Sequence, residues 1–173
     1  MYKRGWHGIN IDLNPLTIEL FSFARVKDIN INAAISDSEE NKKLYFIDAL
    51  NTQNTLEANH LLFLKNEHNI KDEEISQQEI KTKRLDKILD NYNFNDIDFM
   101  NIDVEGHELN ILNSIDFNKY RIKFICIEMI DHNDQTKLIN KKLNAILEKN
   151  NYVLEKKLDF NFIYKKIRHD KKS

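Results

Sequence analysis

The first pattern along the chain is a short alternation of apolar and polar residues, Gly8-Ile-Asn-Ile-Asp-Leu13, stopped by Asn14-Pro15. Alternation with a period of two marks a strand, and a proline suits the first turn of a helix, which Leu16 to Phe23 then predicts. Ile29 to Ile35 reads as a second strand ended by the polar cluster Ser36-Asp-Ser-Glu-Glu40, and Leu44 to Ile47 as a short third. From about Ala49 to Lys81 the chain is polar and hard to read, with a helix around Leu56 to Lys65 as its one clear feature. Leu85, Ile88, Leu89 and Tyr92 follow the spacing of an amphipathic helix, with Thr82 as its candidate cap.

The second half is more legible. Ile97-Asp-Phe-Met-Asn-Ile-Asp-Val-Glu-Gly-His-Glu108 carries an apolar strand into three carboxylates, a histidine and one of three glycines. Apolar residues on both faces suit a strand covered on both sides, as parallel sheets require. A helix from Glu108 to Ser114, a buried strand from Phe124 to Met129 and a long helix through Ile139, Leu143, Ile146 and Leu147 follow. Tyr152 to Leu158 and Asn161 to Lys166 close the chain as a strand pair. Strands alternating with helices predict an α/β fold with a parallel or mostly parallel sheet, edged by an antiparallel hairpin.

Composition narrows this picture. A chain of 173 residues fits one compact domain, expected over 1–173 with a solvated basic tail at 165–173. A net charge of -2 with interspersed acids and bases provides no basic face for nucleic acid. Cys126 is the only cysteine and sits in an apolar run, which points to a reduced, cytoplasmic protein without a thiolate nucleophile. No apolar run of about 18 residues exists, so no transmembrane segment is expected. Phe21, Phe23, Phe46, Phe99, Phe117 and Phe124 are scattered and read as core rather than as a stacking platform.

Carboxylates at the carboxyl ends of strands are the candidate chemistry, because open α/β sheets bind ligands there. Asp12 ends the first strand, where an acid can accept hydrogen bonds from both ribose hydroxyls of a nucleotide or simply cap a turn. Gly5 and Gly8 precede that strand and read as turn glycines, since a phosphate loop must follow one. Asp103, Glu105 and Glu108, with His107, invite a metal reading, yet Glu105 and Glu108 also fit the placement of acids at a helix start. Asp103 stands apart because Glu128 occupies the matching end of the next buried strand. Two such carboxylates can hold an alcohol hydroxyl, and one can take its proton if its pKa is raised. The alternative is a pair that only caps loops. His132 follows in the loop Ile130 to Asn133, and the remaining histidines, His7, His60, His68 and His169, show no ligand spacing, so no metal centre is expected.

Five segments, Gly5 to Pro15, Asn32 to Asp37, Thr82 to Asp86, Ile97 to Glu108 and Phe124 to Glu128, together resemble the FkbM-type methyltransferases in the right order. The resemblance covers the chain from Gly5 to about Tyr164 and implies the class I methyltransferase (Rossmann-like) fold. It implies S-adenosyl-L-methionine as cofactor and O-methylation of a hydroxyl on a sugar, glycolipid or related metabolite. By position, Asp12 corresponds to the ribose-binding acid with Asn14 beside it, and Ser36 and Asp37 to the adenine edge. Asp103 and Glu128 fall where the methyl donor and acceptor meet.

The family's first strand and glycine-rich cofactor loop have no counterpart here, since the match begins at about Tyr2. In the family's strand order 3-2-1-4-5-7-6 that missing strand is the middle one, so the sheet is expected to be truncated at its N-terminal side. The expectation is a fragment, a protein completed by a second chain supplying the strand, or a domain closed up around the gap. The alternative function is an inactive remnant without cofactor, acting as a binding or interaction module.

Overall fold

The structure is a computed structural model and describes residues 2–47, 54–131 and 133–167. The chain divides into two compact units, Met1–Lys83 and Arg84–Ser173.

In the first unit, strand β1 (Ile9–Asp12) leads into helix α1 (Pro15–Ala24). Asn14 caps that helix by accepting a hydrogen bond from Leu16 N at 3.0 Å, and Pro15 occupies the position where a missing N–H costs nothing. β2 (Ile29–Asn32) returns parallel to β1 in the register Ile9↔Ile29 to Asp12↔Asn32. The expected strand Ile29 to Ile35 is interrupted at Ala33. Ala33 N donates to Asp12 O at 3.0 Å, and the chain resumes as β3 (Ala34–Ile35) with a different partner. β4 (Asn41–Phe46), α2 (Ala58–His68) and β5 (Ser76–Lys83) complete the unit, and β5 lies between β3, parallel, and β4, antiparallel.

Thr82 and Phe23 depart from their expected roles. Thr82 does not cap a helix; it lies in β5, fully buried, with its hydroxyl donating to Ser38 O at 2.7 Å. Phe23 is 88% exposed rather than core. It stands five residues after buried Ile18, about 140° round the helix, so the two cannot share a face.

The second unit opens with α3 (Leu85–Asn91), β6 (Asp96–Ile102), α4 (Glu108–Asn113) and β7 (Arg121–Glu128). It ends with α5 (Asp134–Lys149), β8 (Tyr152–Leu158) and β9 (Asn161–Lys166). The strands form one sheet in the order β6-β7-β9-β8, with β6 parallel to β7 and the last two antiparallel. The closing hairpin lies at the edge, as the sequence predicts. Ile125 and Ile127 of β7 and Leu143 and Leu147 of α5 are almost wholly buried. Tyr164 of β9 ties the sheet to α5, its hydroxyl donating to the Asn144 side chain. Burial of this kind contributes about 25 cal/mol per Å² of apolar surface, which makes the core the main stabilising element of the unit.

Across the described residues three strand pairings are parallel and three antiparallel, a more mixed α/β arrangement than the mostly parallel sheet expected. Lys165 and Lys166 belong to β9 rather than to a frayed tail; Lys166 Nζ donates to Asn150 O at 2.7 Å. The remaining tail residues, Arg168 to Lys172, and His132 lie outside the described residues.

Candidate functional site

The candidate residues of the first unit gather at the carboxyl end of β1 and after β3. Asp12 Oδ1 accepts a hydrogen bond from Asn14 N at 2.7 Å, an Asx turn that steers the chain from strand to helix. Asn32, opposite in the register, fixes the same turn by donating from Nδ2 to Asp12 O at 3.1 Å and Leu13 O at 2.9 Å. Burial raises the Asp12 carboxyl above the ordinary aspartate range, and the bond from Asn14 N pulls partly against it. The turn role and the ligand role are compatible: a carboxylate has about four lone-pair sites, so one bond to Asn14 leaves acceptors for a diol. Ser36 is fully buried, its N bonded to Lys83 O at 2.9 Å and its hydroxyl donating to Asp37 Oδ1 at 3.1 Å.

In the second unit β6 runs into a tight turn. Glu105 and Gly106 both have left-handed backbone, with φ of 53° and 93°, so the chain reverses there before α4 begins. Asp103 is exposed, yet nearby mass raises its carboxyl above the ordinary range, and the neighbouring charge of Glu105 adds to the rise. The two effects coexist at a rim, where one side of a group faces protein and the other water.

The parallel register Ile102↔Ile127 carries Asp103 and Glu128 to the same end of adjacent strands. Glu128 is half-buried and pairs in register with Asn161 of β9. With Glu108, Ile130, Thr136, Ile139 and Asn140 it lines a recess of about 40 Å³. That is room for a few water molecules, against the roughly 300 Å³ or more of a small-molecule pocket. Cys126 is buried, and burial with the charge of Asp103 raises its thiol pKa, which keeps it from acting as a thiolate.

Glu108 and His107 depart from the sequence reading. Glu108 is 5% exposed, and its Oε1 accepts from Val104 N at 3.2 Å and Gly106 N at 3.1 Å. It binds the turn that precedes its helix, a more specific role than helix-end electrostatics. His107 is buried, and among the described residues no group of three or more His, Cys, Asp or Glu side chains is placed to hold a metal ion.

The family model described as "Methyltransferase FkbM domain" matches residues 1–154. The chain belongs to that family. No curated protein and no solved structure matches it. The FkbM match runs through both units, and all six residues singled out in the sequence, Asp12, Asn14, Ser36, Asp37, Asp103 and Glu128, lie inside it. Asn14 and Ser36 are buried and committed to local hydrogen bonds. Asp12 and Glu128 are partly exposed, and Asp103 is exposed. Among the described residues no helix is long and apolar enough to cross a membrane.

Proposed function

We propose that this FkbM-family chain is an S-adenosyl-L-methionine-dependent methyltransferase that acts on a hydroxyl of a sugar, glycolipid or related small metabolite. The family match over residues 1–154 carries the reading. Strand order supports it. A parallel pair followed by an antiparallel hairpin whose last strand lies inside, β6-β7-β9-β8, has the order expected of strands 4-5-7-6 in a class I methyltransferase sheet. The same reading treats the two units as one methyltransferase-like domain in a reduced cytoplasmic setting.

On the cofactor side, Asp12 accepts hydrogen bonds from the ribose hydroxyls, with Asn14 holding the turn that aims it, and Asp37, held from behind by the buried Ser36 hydroxyl, meets the adenine edge. When bound, S-adenosyl-L-methionine supplies an electrophilic methyl group. Asp103 and Glu128 are the acceptor-side pair: Glu128 orients the hydroxyl, and Asp103 takes its proton as the oxygen forms the new bond. A raised carboxyl suits that work, because a base is most effective when its pKa approaches the working pH.

Among the described residues β6 pairs only with β7. Its C-terminal half, Phe99 to Ile102, is largely apolar, and such an edge is a template for strand addition. A second chain supplying that strand is part of the proposal.

Titration calorimetry with S-adenosyl-L-methionine tests the reading. Saturable binding that is lost in Asp12→Ala supports it. A folded protein that binds no cofactor, alone or mixed with a partner chain, overturns it in favour of a remnant acting as an interaction module.

A further inference from the structure

We infer that Glu108 is a positioning residue, whose buried carboxylate fixes the Asp103–His107 turn in the shape that presents Asp103 at the strand rim. The inference rests on the proposed role of Asp103, but its geometry stands apart from that role.

The two N–H groups that Glu108 Oε1 accepts belong to Val104 and Gly106, one on each side of Glu105. Glu105 holds φ at 53°, a conformation that a residue with a Cβ adopts only where its surroundings impose it. A single oxygen bound to both flanking amides imposes it. His107 N donating to Val104 O at 3.4 Å closes the turn from the other direction. Asp103 is the residue immediately before this clamp, so its backbone direction is set by the same two bonds. Glu108 also lines the recess that Glu128 lines, so the clamped turn and the end of the strand bearing Glu128 border the same space.

A rival role is plain charge at the start of α4. The two roles differ in what they require: a clamp needs an acceptor at the right reach, whereas a helix terminus needs only a negative charge nearby. Glu108→Gln keeps the reach and the acceptor but loses the charge. Glu108→Asp keeps the charge but is one methylene too short to hold both amides.

Hydrogen exchange at the Val104 and Gly106 amides, with the Asp103 carboxyl titrated by NMR, reads both variants without cofactor or acceptor. In Glu108→Asp, exchange at the two amides is expected to rise at least tenfold. The Asp103 midpoint is expected to fall toward that of an ordinary aspartate, as the turn opens and Glu105 moves away. In Glu108→Gln both readouts stay within a few-fold of wild type. The reverse ranking, with Glu108→Asp like wild type and Glu108→Gln impaired, overturns the inference, as do two variants that both leave the amides and the midpoint unchanged. Failure of the wild-type protein to bind S-adenosyl-L-methionine would count against the methyltransferase reading alone.

Discussion

Arg25 Nε donates to the Asp28 carboxylate at 2.6 Å, and the Asp28 side chain retains no solvent-accessible surface. Gly8 N at 3.1 Å and Asn10 Nδ2 at 3.0 Å donate to the same carboxylate, so a buried charge is met from three sides and joins the start of β1 to the start of β2. Burial works to raise its pKa, but the bonds from Asn10, Gly8 and Arg25, with the Arg25 charge, outweigh it and hold the carboxyl below the ordinary aspartate range. Asp28→Asn is expected to lose about 2 to 3 kcal/mol at neutral pH, the scale of charge-assisted bonds inside a protein. A carboxyl lowered in the folded state stabilises above its unfolded pKa of about 3.9, and that contribution fades as pH falls through the folded value. Urea unfolding of wild type and variant at pH 7 and pH 3 should therefore show a gap that narrows in acid.

Asp12 titrates in the opposite direction, because burial raises it. The folded state then prefers the protonated acid, and a penalty grows as pH climbs from the unfolded pKa through the folded one and persists above it. Asp12→Asn removes that charge while its side-chain oxygen can still accept from Asn14 N. The variant is expected to be at least as stable as wild type at pH 7 and less so relative to wild type at pH 3, while losing binding of S-adenosyl-L-methionine. Thermal unfolding at the two pH values alongside calorimetry checks this separation of stability from binding.

Tyr152, fully buried at the start of β8, donates from its hydroxyl to Ile122 O of β7 at 2.8 Å. Burial pushes this phenol well above the ordinary tyrosine range, so it remains a donor at any working pH. Its ring also meets Phe117 edge-on, with centroids 5.8 Å apart. Tyr152→Phe keeps the ring contact and leaves the Ile122 carbonyl one donor poorer, a loss of about 1 to 2 kcal/mol. Tyr152→Ala adds the cavity and should cost about 3 to 5 kcal/mol. Chemical denaturation of the two variants separates the hydroxyl from the ring.

The elements that the sequence foretold are those whose own residues build a core. Phe124-Ile-Cys-Ile and the spacing of Leu143 and Leu147 announce β7 and α5 because burial needs apolar residues at those periods. β5 went unseen for the converse reason. Ser76 to Lys83 is mostly polar and exposed, and it is a strand because β3 and β4 complete its ladder. Such pairing is a property of the partners and leaves no period in the strand itself. In the candidate site the strand-end acids were legible, since a carboxylate after an apolar run is visible in one dimension. The clamp made by Glu108 was not, because a buried acceptor and a solvated helix-end acid are the same letter.

Thr82 offers the sharpest test of how β5 is held. Its hydroxyl donates to Ser38 O at 2.7 Å and accepts from Glu40 N at 3.1 Å, pinning the loop that joins β3 to β4 against a strand with little apolar burial of its own. Thr82→Val preserves the shape and removes both bonds, leaving the Glu40 N–H and the Ser38 carbonyl without this partner. The expected cost is about 1 to 3 kcal/mol, with Thr82→Ser recovering most of it because the hydroxyl returns. Amide exchange should localise the effect to β4 and β5, with the β7 amides keeping wild-type protection. A Thr82→Val protein as stable as wild type, with unchanged exchange at Glu40, would show that the ladder alone holds β5.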